Sequence, residues 1–228
     1  MKAVQCVINQ LRSQASEREA VPYQTDNAQN RNPRKKQGGF SLIEVSIVTA
    51  LMVIVAIIGV PALEAYIIEN KIPKVAADMQ RFVSRMKVAA IGGGAAPYAG
   101  IDQRALVNGM REGAVVAVQG TGSTADVAHG LGGQGRGQSG TILIEPDSVP
   151  GHGSGSAFRL TLTHVSHAAC PMLATAMQRM ASLISVSGSG GLVTVKNAFS
   201  DPPLAYQPVL ADAQCASGDR NRFVFVFK

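Results

Sequence analysis

The sequence has few aromatic residues and no tryptophan, although it is 228 residues long. Aromatics make up 5% of the chain and glycine occurs 24 times, so a core has to form from aliphatic side chains and methionine between glycine-rich turns. The chain also lacks a basic stripe interleaved with aromatics. Residues 1–39 carry +4 of the formal net charge of +6. These features argue against direct nucleic-acid binding.

Motifs for catalysis, cofactors and metals are also missing. The glycine-rich segment 130–137 has no Gly-Lys-Ser/Thr end and precedes no helical pattern, so we expect a solvated loop rather than a phosphate site. Ser154 lies in a Gly-Ser turn without a Gly-x-Ser-x-Gly elbow. His164 and His167 have no third ligand at metal-binding spacing. We therefore predict no enzyme activity, no cofactor and no metal.

One long apolar run begins at Phe40 and ends at Leu63. The 19 residues between Glu44 and Glu64 are uncharged, and as a helix they would cover roughly 28 Å, close to the hydrocarbon thickness of a bilayer. Basic residues at 34–36 precede the run, which predicts a cytoplasmic N-terminal end and an exported C-terminal domain. A secretory signal peptide is the alternative. The length of the run, its distance from the N-terminus and the absence of an Ala-x-Ala site after it oppose that alternative.

Glu44 stands alone near the start of this apolar run. A carboxylate in a membrane helix costs roughly 2.5 to 3.5 kcal/mol at the centre and is usually tolerated for a function with a partner. No Lys or Arg follows within one helical turn. The simpler interpretation is that Glu44 lies among the lipid headgroups.

The segment around Glu44 reads GGFSLIE, with basic residues before it and an unbroken apolar helix pattern after it. This arrangement resembles the processing site of type IV prepilins and related pseudopilins. The resemblance implies that a membrane prepilin peptidase removes residues 1–39 by cutting between Gly39 and Phe40 on the cytoplasmic face. It also implies methylation of the new amino group of Phe40. The long leader is similar to those of type IVb pilins, whereas a first mature phenylalanine is commoner in type IVa.

The same resemblance implies roles for two residues of the helix. Glu44 would pair with the N-terminal ammonium of a neighbouring subunit and fix the stagger between subunits in a fibre. Pro61 falls where many type IV pilins carry a kink, and proline does kink or locally open helices. The implied partners are other pilin subunits in a homopolymer, the peptidase, an inner-membrane assembly platform and its ATPase. The membrane holds the precursor before assembly.

The predicted fold class is α+β, a type IV pilin fold with a long N-terminal helix on an antiparallel sheet. We predict a leader at 1–39, a membrane and fibre-core helix at 40–65, an amphipathic continuation at 66–90 and a head domain at 91–228, because apolar residues recur at helical spacing to about Ala90. A second helix is predicted at 171–186. The predicted strands of the single sheet are 114–119, 141–145, 158–164, 192–196 and 222–227.

Three cysteines occur, and Cys6 lies in the predicted leader. The mature chain would keep Cys170 and Cys215, which an oxidising compartment would join as a disulfide. Two buried free thiols are the alternative. The resemblance to pilins implies that residues 170–215 form a disulfide-bounded region that supplies variable surface and subunit contacts.

Taken together, the sequence predicts a structural subunit of a type IV pilus, and the resemblance favours a major pilin of type IVb or conjugative thin-pilus type, for adhesion or conjugative transfer. The precursor would lie in the inner membrane with its head in the periplasm, and the assembled subunit would be extracellular. A minor pilin or a type II secretion pseudopilin would share the processing site. A membrane-tethered periplasmic adhesin or enzyme, with the helix only as a tether, is the alternative from another class.

Overall fold

The computed structural model, which describes residues 41–188 and 190–228, begins with helix α1 at Leu42–Ala89. The backbone N–H groups of Glu44 and Val45 donate to the Ser41 carbonyl at 3.0 and 3.2 Å and start the helix. Its residues are mainly Leu, Ile, Ala, Val and Met, and it ends just before Gly92, which takes a φ of 87°. The predicted helix end near residue 90 is confirmed.

The remaining elements follow helix α1 in chain order. They are α2 (Gln103–Met110), β1 (Ala117–Gln119), a 3₁₀ turn (Gly122–Thr124), β2 (Asp126–Ala128), β3 (Ile142–Asp147), β4 (Ala157–Val165), a second 3₁₀ turn (His167–Ala169), α3 (Cys170–Met177), β5 (Leu183–Ser187), β6 (Val193–Asn197), α4 (Pro208–Ala213) and β7 (Asn221–Phe227).

Five of these strands form one antiparallel sheet in the order β3-β4-β7-β5-β6. The C-terminal strand β7 lies at its centre and pairs with β4 on one side and with β5 on the other. The predicted α+β architecture, with a long N-terminal helix and an antiparallel sheet, is confirmed. Alternate side chains of β4 and β7 point to one face, where phenylalanines pack beneath helix α1.

The core between helix α1 and the sheet is centred on Phe158. Its ring lies 6.5 Å from that of Phe82 on helix α1, 4.8 Å from that of Tyr98 and 5.2 Å from that of Phe227. Phe158 therefore links helix α1 to the sheet, and Phe223 and Phe225 stack on each other in the same core with ring centroids 5.8 Å apart. Aliphatic side chains and methionine fill most of the rest of the core, as the composition predicts.

Contacts place a boundary after Val48, and the unit beyond it comprises Thr49–Lys228. The described part of the first unit, residues 41–48, is exposed and helical from Leu42. The second unit contains the rest of helix α1, the sheet and the shorter helices. The boundary after Val48 coincides with none of the predicted domain limits at 39, 65 and 90. It does not test those limits, which stay a prediction.

The prediction of one helix over residues 171–186 is wrong. Helix α3 ends at Met177, and Leu183 and Ile184 belong to strand β5. Strand β5 pairs with a strand on each side, and Ile184 lies opposite Phe225 of β7. The spacing of the apolar residues suggested a helix, but a fully buried strand also has apolar residues on both faces. A short apolar run therefore does not distinguish a strand from a helix.

The prediction that residues 114–119 join the main sheet is also wrong. Strand β1 covers only Ala117–Gln119 and pairs with β2 in a separate two-stranded sheet. Helices α2 and α4 were missed because both are short. Asp102 provides the sequence signal for α2, since its carboxylate accepts hydrogen bonds from the N–H groups of Arg104 and Ala105.

Candidate functional site: the apolar helix and its attachment to the head

The first half of helix α1 is apolar on all sides and exposed. Leu42 is 86% exposed and Ile57 69%. None of the most apolar 18-residue stretch of the helix is buried, and its mean hydropathy is 2.6. This helix is long and apolar enough to cross a membrane. A helix that is apolar all round requires burial in lipid or against other protein.

Glu44 lies in the first turn of helix α1 and is exposed. A carboxylate there interacts favourably with the N–H groups at the positive end of the helix dipole. Val45 to Leu63 contains no ionisable residue, so the Glu44 carboxylate is the one strong hydrogen-bond acceptor that this apolar surface offers near its start.

The second half of helix α1 packs into the head domain. Ile72, Val75, Met79, Phe82 and Val83 are buried at helical spacing on one face. The apolar face of this amphipathic part of the helix therefore belongs to the core.

Two local features hold helix α1 against the head. Asp78 is 4% exposed, and its carboxylate accepts a hydrogen bond from the Ala114 N–H at 2.9 Å and pairs with Arg81 at 3.3 Å. Gly109 of α2 lies so close to helix α1 that a Cβ there would be 2.4 Å from a ring carbon of Phe82. A larger residue at 109 would push the two helices apart.

The predicted disulfide joins Cys170 at the start of α3 to Cys215 just after α4. The two Cα atoms are 5.8 Å apart, and the bridge closes a loop with a sequence separation of 45. The alternative of two free thiols is therefore wrong. The hydroxyls of Thr175 and Tyr206 also lie 3.2 Å apart across this region.

The structure does not test the predicted cleavage, methylation and kink sites. Gly39 and Phe40, the predicted cleavage and methylation residues, lie outside the described residues. Helix α1 is continuous through position 61, and the kink at Pro61 stays a prediction.

The glycine-rich segment 130–137 is partly buried, and is not the fully solvated loop that the sequence predicts. Leu131 is fully buried, and its carbonyl accepts from the Ser166 N–H at 2.8 Å. The Gly133 N–H donates to the Asp219 carboxylate at 2.9 Å. Gly132 has a φ of 135°, and a Cβ there would be 2.7 Å from the His164 carbonyl oxygen. Gly132 is therefore needed for close packing against β4.

The side chains considered for catalysis or metal binding have structural contacts. Within residues 41–188 and 190–228, no group of three His, Cys, Asp or Glu residues is arranged to hold a metal. The Ser156 hydroxyl accepts from the Val149 N–H at 2.9 Å in the turn before β4. Ser154 is an exposed residue of the same turn.

Sequence reasoning missed His129, a fully buried histidine. Its Nε2 donates to the Thr163 carbonyl at 2.9 Å, and its Nδ1 accepts from the Leu131 N–H at 3.0 Å. Both nitrogens are satisfied only in the neutral ring. Burial lowers the pKa of His129 from 6.5 to about 4, against the opposing effects of the Thr163 carbonyl and Asp219. No pattern in the sequence signals this residue.

We expect the protein to lose stability on acidification between pH 6.5 and about 4, the unfolded and folded pKa values of His129. In the unfolded chain His129 binds a proton below about pH 6.5, whereas in the folded chain it stays neutral down to about pH 4. The free energy of unfolding should therefore fall with a slope that approaches about 1.4 kcal/mol per pH unit, about 3 kcal/mol in all. Urea unfolding of the full chain in detergent micelles at pH 7, 6 and 5 measures this slope.

The matched controls are His129→Gln and His152→Gln, the second at an exposed position. The first variant should have a smaller slope between pH 6.5 and 5, whatever its stability at pH 7. The second should keep the wild-type slope. An unchanged slope in His129→Gln would show that another group carries the pH dependence.

Residues 34–60 match the family model described as the prokaryotic N-terminal methylation motif. The match covers the basic residues, the Gly39–Phe40 bond, Glu44 and the first part of the apolar helix. It therefore defines the class of this segment by the same residues that the sequence pattern singles out. The remaining head domain lies outside this match.

Two solved structures are similar to the chain. One is a type IVb pilin from Salmonella typhi, with 18% identity, a TM-score of 0.42 and coverage of 68% of this chain and 96% of that one. The other is TcpA, a type IV pilin from the Vibrio cholerae El Tor biotype, with 11% identity, a TM-score of 0.43 and coverage of 70% and 99%. At this level the likeness does not define function. No curated protein sequence matches the chain significantly.

Proposed function

We propose that this chain is the precursor of a structural subunit of a type IV pilus. The observation that carries the proposal is the methylation motif at 34–60, followed directly by a helix whose first half is apolar and exposed and whose second half is packed in the head. The helix of the precursor is held in the inner membrane with the head in the periplasm. The processed helix is then buried among the helices of other subunits in an extracellular fibre.

The exposed half of helix α1 supports this succession of two apolar environments. Its side chains gain roughly 25 cal/mol for each Å² that leaves water, in lipid or against protein alike. Transfer from the bilayer to a fibre therefore needs no large change in solvation. A permanent anchor would need only the first environment and would not need a methylation motif.

Glu44 gives the assembly a means of selecting register. In a fibre core its carboxylate pairs with the amino group of Phe40 in a neighbouring subunit, after the cut has created that group. A buried pair stabilises little by itself, but leaving one member unpaired costs roughly 3 to 5 kcal/mol. Subunits staggered wrongly leave the charge unpaired, so the pair favours one stagger.

The proposed partners follow from these steps. A prepilin peptidase cuts between Gly39 and Phe40 and methylates the new amino group, and an assembly platform with an ATPase extracts the subunit from the inner membrane. A minor pilin or a type II secretion pseudopilin uses the same steps. The copy number of the subunit in the fibre distinguishes them from a major pilin, which is the abundant subunit. A role in adhesion or in conjugative transfer would depend on the surface of the assembled fibre.

The intact mass and N-terminal sequence of protein sheared from cell surfaces test the proposal. We expect a chain that begins at N-methylated Phe40 and is two mass units lighter than the reduced form, since the disulfide has lost two hydrogens. A chain that begins at Met1 and stays in the membrane fraction would mean that the helix is a permanent anchor, as in a tethered adhesin or enzyme.

The variant Gly39→Val tests the cut itself. Glycine lets the backbone extend into a protease cleft at low steric cost, so a β-branched residue should leave nearly all of the protein as uncut precursor. The control Gly59→Val makes the same substitution within helix α1, at a position where a Cβ meets nothing within 4 Å. It should be cut normally. Normal cutting of Gly39→Val would contradict the assigned cleavage site.

A further inference from the structure

A polar groove crosses the face of the sheet that points away from helix α1. It has a volume of about 440 Å³ and is lined by residues from β3, β4, β5 and β7 and from the loops beside them. Adjacent strands lie about 4.8 Å apart, so four strands give the groove a width suited to a small molecule. Neither the methylation motif nor the apolar helix explains this groove.

Two arginines give the groove a positive charge. Arg222 lies in β7 opposite Ser187 of β5, and Arg220 directly precedes this strand. Within residues 41–188 and 190–228, neither guanidinium makes an ion pair or a side-chain hydrogen bond. The carboxylate in the lining, Glu145, is already engaged by Arg159 at 2.7 Å. The groove therefore offers unpaired positive charge to a ligand.

Thr161 adds a buried hydroxyl to these charges. The residue lies in β4, in register with Leu143 and Val224 on the neighbouring strands, and is 3% exposed. No described residue forms a hydrogen bond with its side chain, yet the described part of the chain contains no fully buried side-chain polar atom without a partner. The Thr161 hydroxyl therefore opens into the groove that it lines.

His164 lies at the edge of the groove in a backbone conformation that is uncommon for histidine. Its φ is 53°, and its Nδ1 donates to the Gln138 carbonyl at 2.9 Å. The hydrogen bond orients the ring and leaves Nε2 for another partner. Residues held in the left-handed region are often found at binding sites, where the surrounding structure supports the strain.

We propose that this groove binds a carboxylated sugar. The planar guanidinium groups of Arg220 and Arg222 match a carboxylate, which arginine binds in a forked geometry. The Thr161 hydroxyl and the Gln138 side chain match the hydroxyls of the ring. A phosphate ion also matches the arginines, but it fills only a small part of a groove of about 440 Å³. This activity goes beyond fibre assembly and does not depend on it, because the groove and helix α1 lie on opposite sides of the sheet.

Isothermal titration of the full chain in zwitterionic detergent micelles tests the groove with three probes. Sialyllactose carries the carboxylate and the hydroxyls, lactose carries the hydroxyls alone, and inorganic phosphate carries the charge alone. We expect binding of sialyllactose at least about tenfold tighter than that of either other probe, since lactose lacks the charge-assisted hydrogen bonds and phosphate lacks the hydroxyls of the ring. Phosphate binding as tight as sialyllactose would overturn the sugar assignment, and no binding of any probe would overturn the site.

Three variants locate the binding. Arg222→Gln should weaken sialyllactose binding by about tenfold or more, and Thr161→Val by about two- to tenfold without a change of charge. Arg179→Gln removes an exposed arginine that does not line the groove and should bind as the wild type does. Thermal unfolding of each variant verifies that it is folded. Wild-type affinity in both groove variants would place the ligand elsewhere and overturn the proposal.

Discussion

Loss of the Cys170–Cys215 disulfide is expected to lower the free energy of unfolding by about 4 kcal/mol. The bridge closes a loop with a sequence separation of 45, and the chain-entropy relation gives this value for a loop of that length. With a urea dependence of about 2 kcal/mol per molar for a domain of this size, the unfolding midpoint should fall by about 2 M. Urea unfolding of the full chain in detergent, with and without reductant, measures the change.

The reduced wild type is compared with a Cys170→Ala, Cys215→Ala double variant. Cys170 is fully buried, so the double variant loses packing as well as the bridge and should be somewhat less stable than the reduced wild type. Addition of reductant should not change the double variant. A fall of the unfolding midpoint by less than about 0.5 M in the reduced wild type would mean that the bridge adds little to stability. Its main role would then be to shape the surface of the region between the two cysteines.

The structure indicates where the reduced protein would open first. Helix α4 is only six residues long and carries no side-chain cap. Its contacts with the rest of the head include the buried Ala211 and the disulfide that follows it. Short helices of this kind depend on tertiary contacts rather than on their own propensity. Hydrogen exchange in the reduced protein should therefore increase first in Pro208–Ala213.

Replacement of Glu44 by glutamine is expected to give normal processing and a large loss of fibres. The change keeps the size of the side chain and removes the charge that would pair with the N-terminal ammonium of a neighbour. An unpaired ammonium in an apolar fibre core costs roughly 3 to 5 kcal/mol per subunit. We expect the amount of sheared fibre per cell to fall at least about tenfold, measured by immunoblot of sheared and membrane fractions.

The matched control is Glu69→Gln. Glu69 is exposed on the same helix but beyond the apolar run, so this variant removes the same charge without affecting the proposed pair. It should make a normal amount of fibre with normal processing. Wild-type fibre yield in Glu44→Gln would refute the pairing, whereas loss of processing would mean that Glu44 acts at the peptidase step.

Much of the architecture was predictable from the sequence because its signals are local. The apolar run and its basic flank are read along one segment, and helix α1 ends within a residue of the predicted position, where glycines follow. The cysteine pair was predictable because the third cysteine, Cys6, lies in the predicted leader. Strand β4 was found because Phe158, Leu160 and Leu162 alternate with polar residues, which is the period of a strand with two different faces.

The errors concern segments whose state depends on distant partners. Leu183 and Ile184 fit a helix by spacing, but strands β6 and β7 supply hydrogen bonds on both sides that make them a strand. The short helix α2 exists because Leu106, Val107 and Met110 are buried in the core next to Phe82. The sequence shows these residues but does not show which residues of other elements pack against them.

The sequence by itself determined the membrane-length apolar helix, the motif at its start and the cysteine pair, since each depends on the order of residues within one segment or on their number. Only the tertiary structure decided the burial of His129 and Asp78 and the groove that brings Thr161 and Arg222 together. Those two residues are far apart in the chain and lie on adjacent strands, β4 and β7. Strand pairing sets such proximities, and the sequence of one strand does not name its partner.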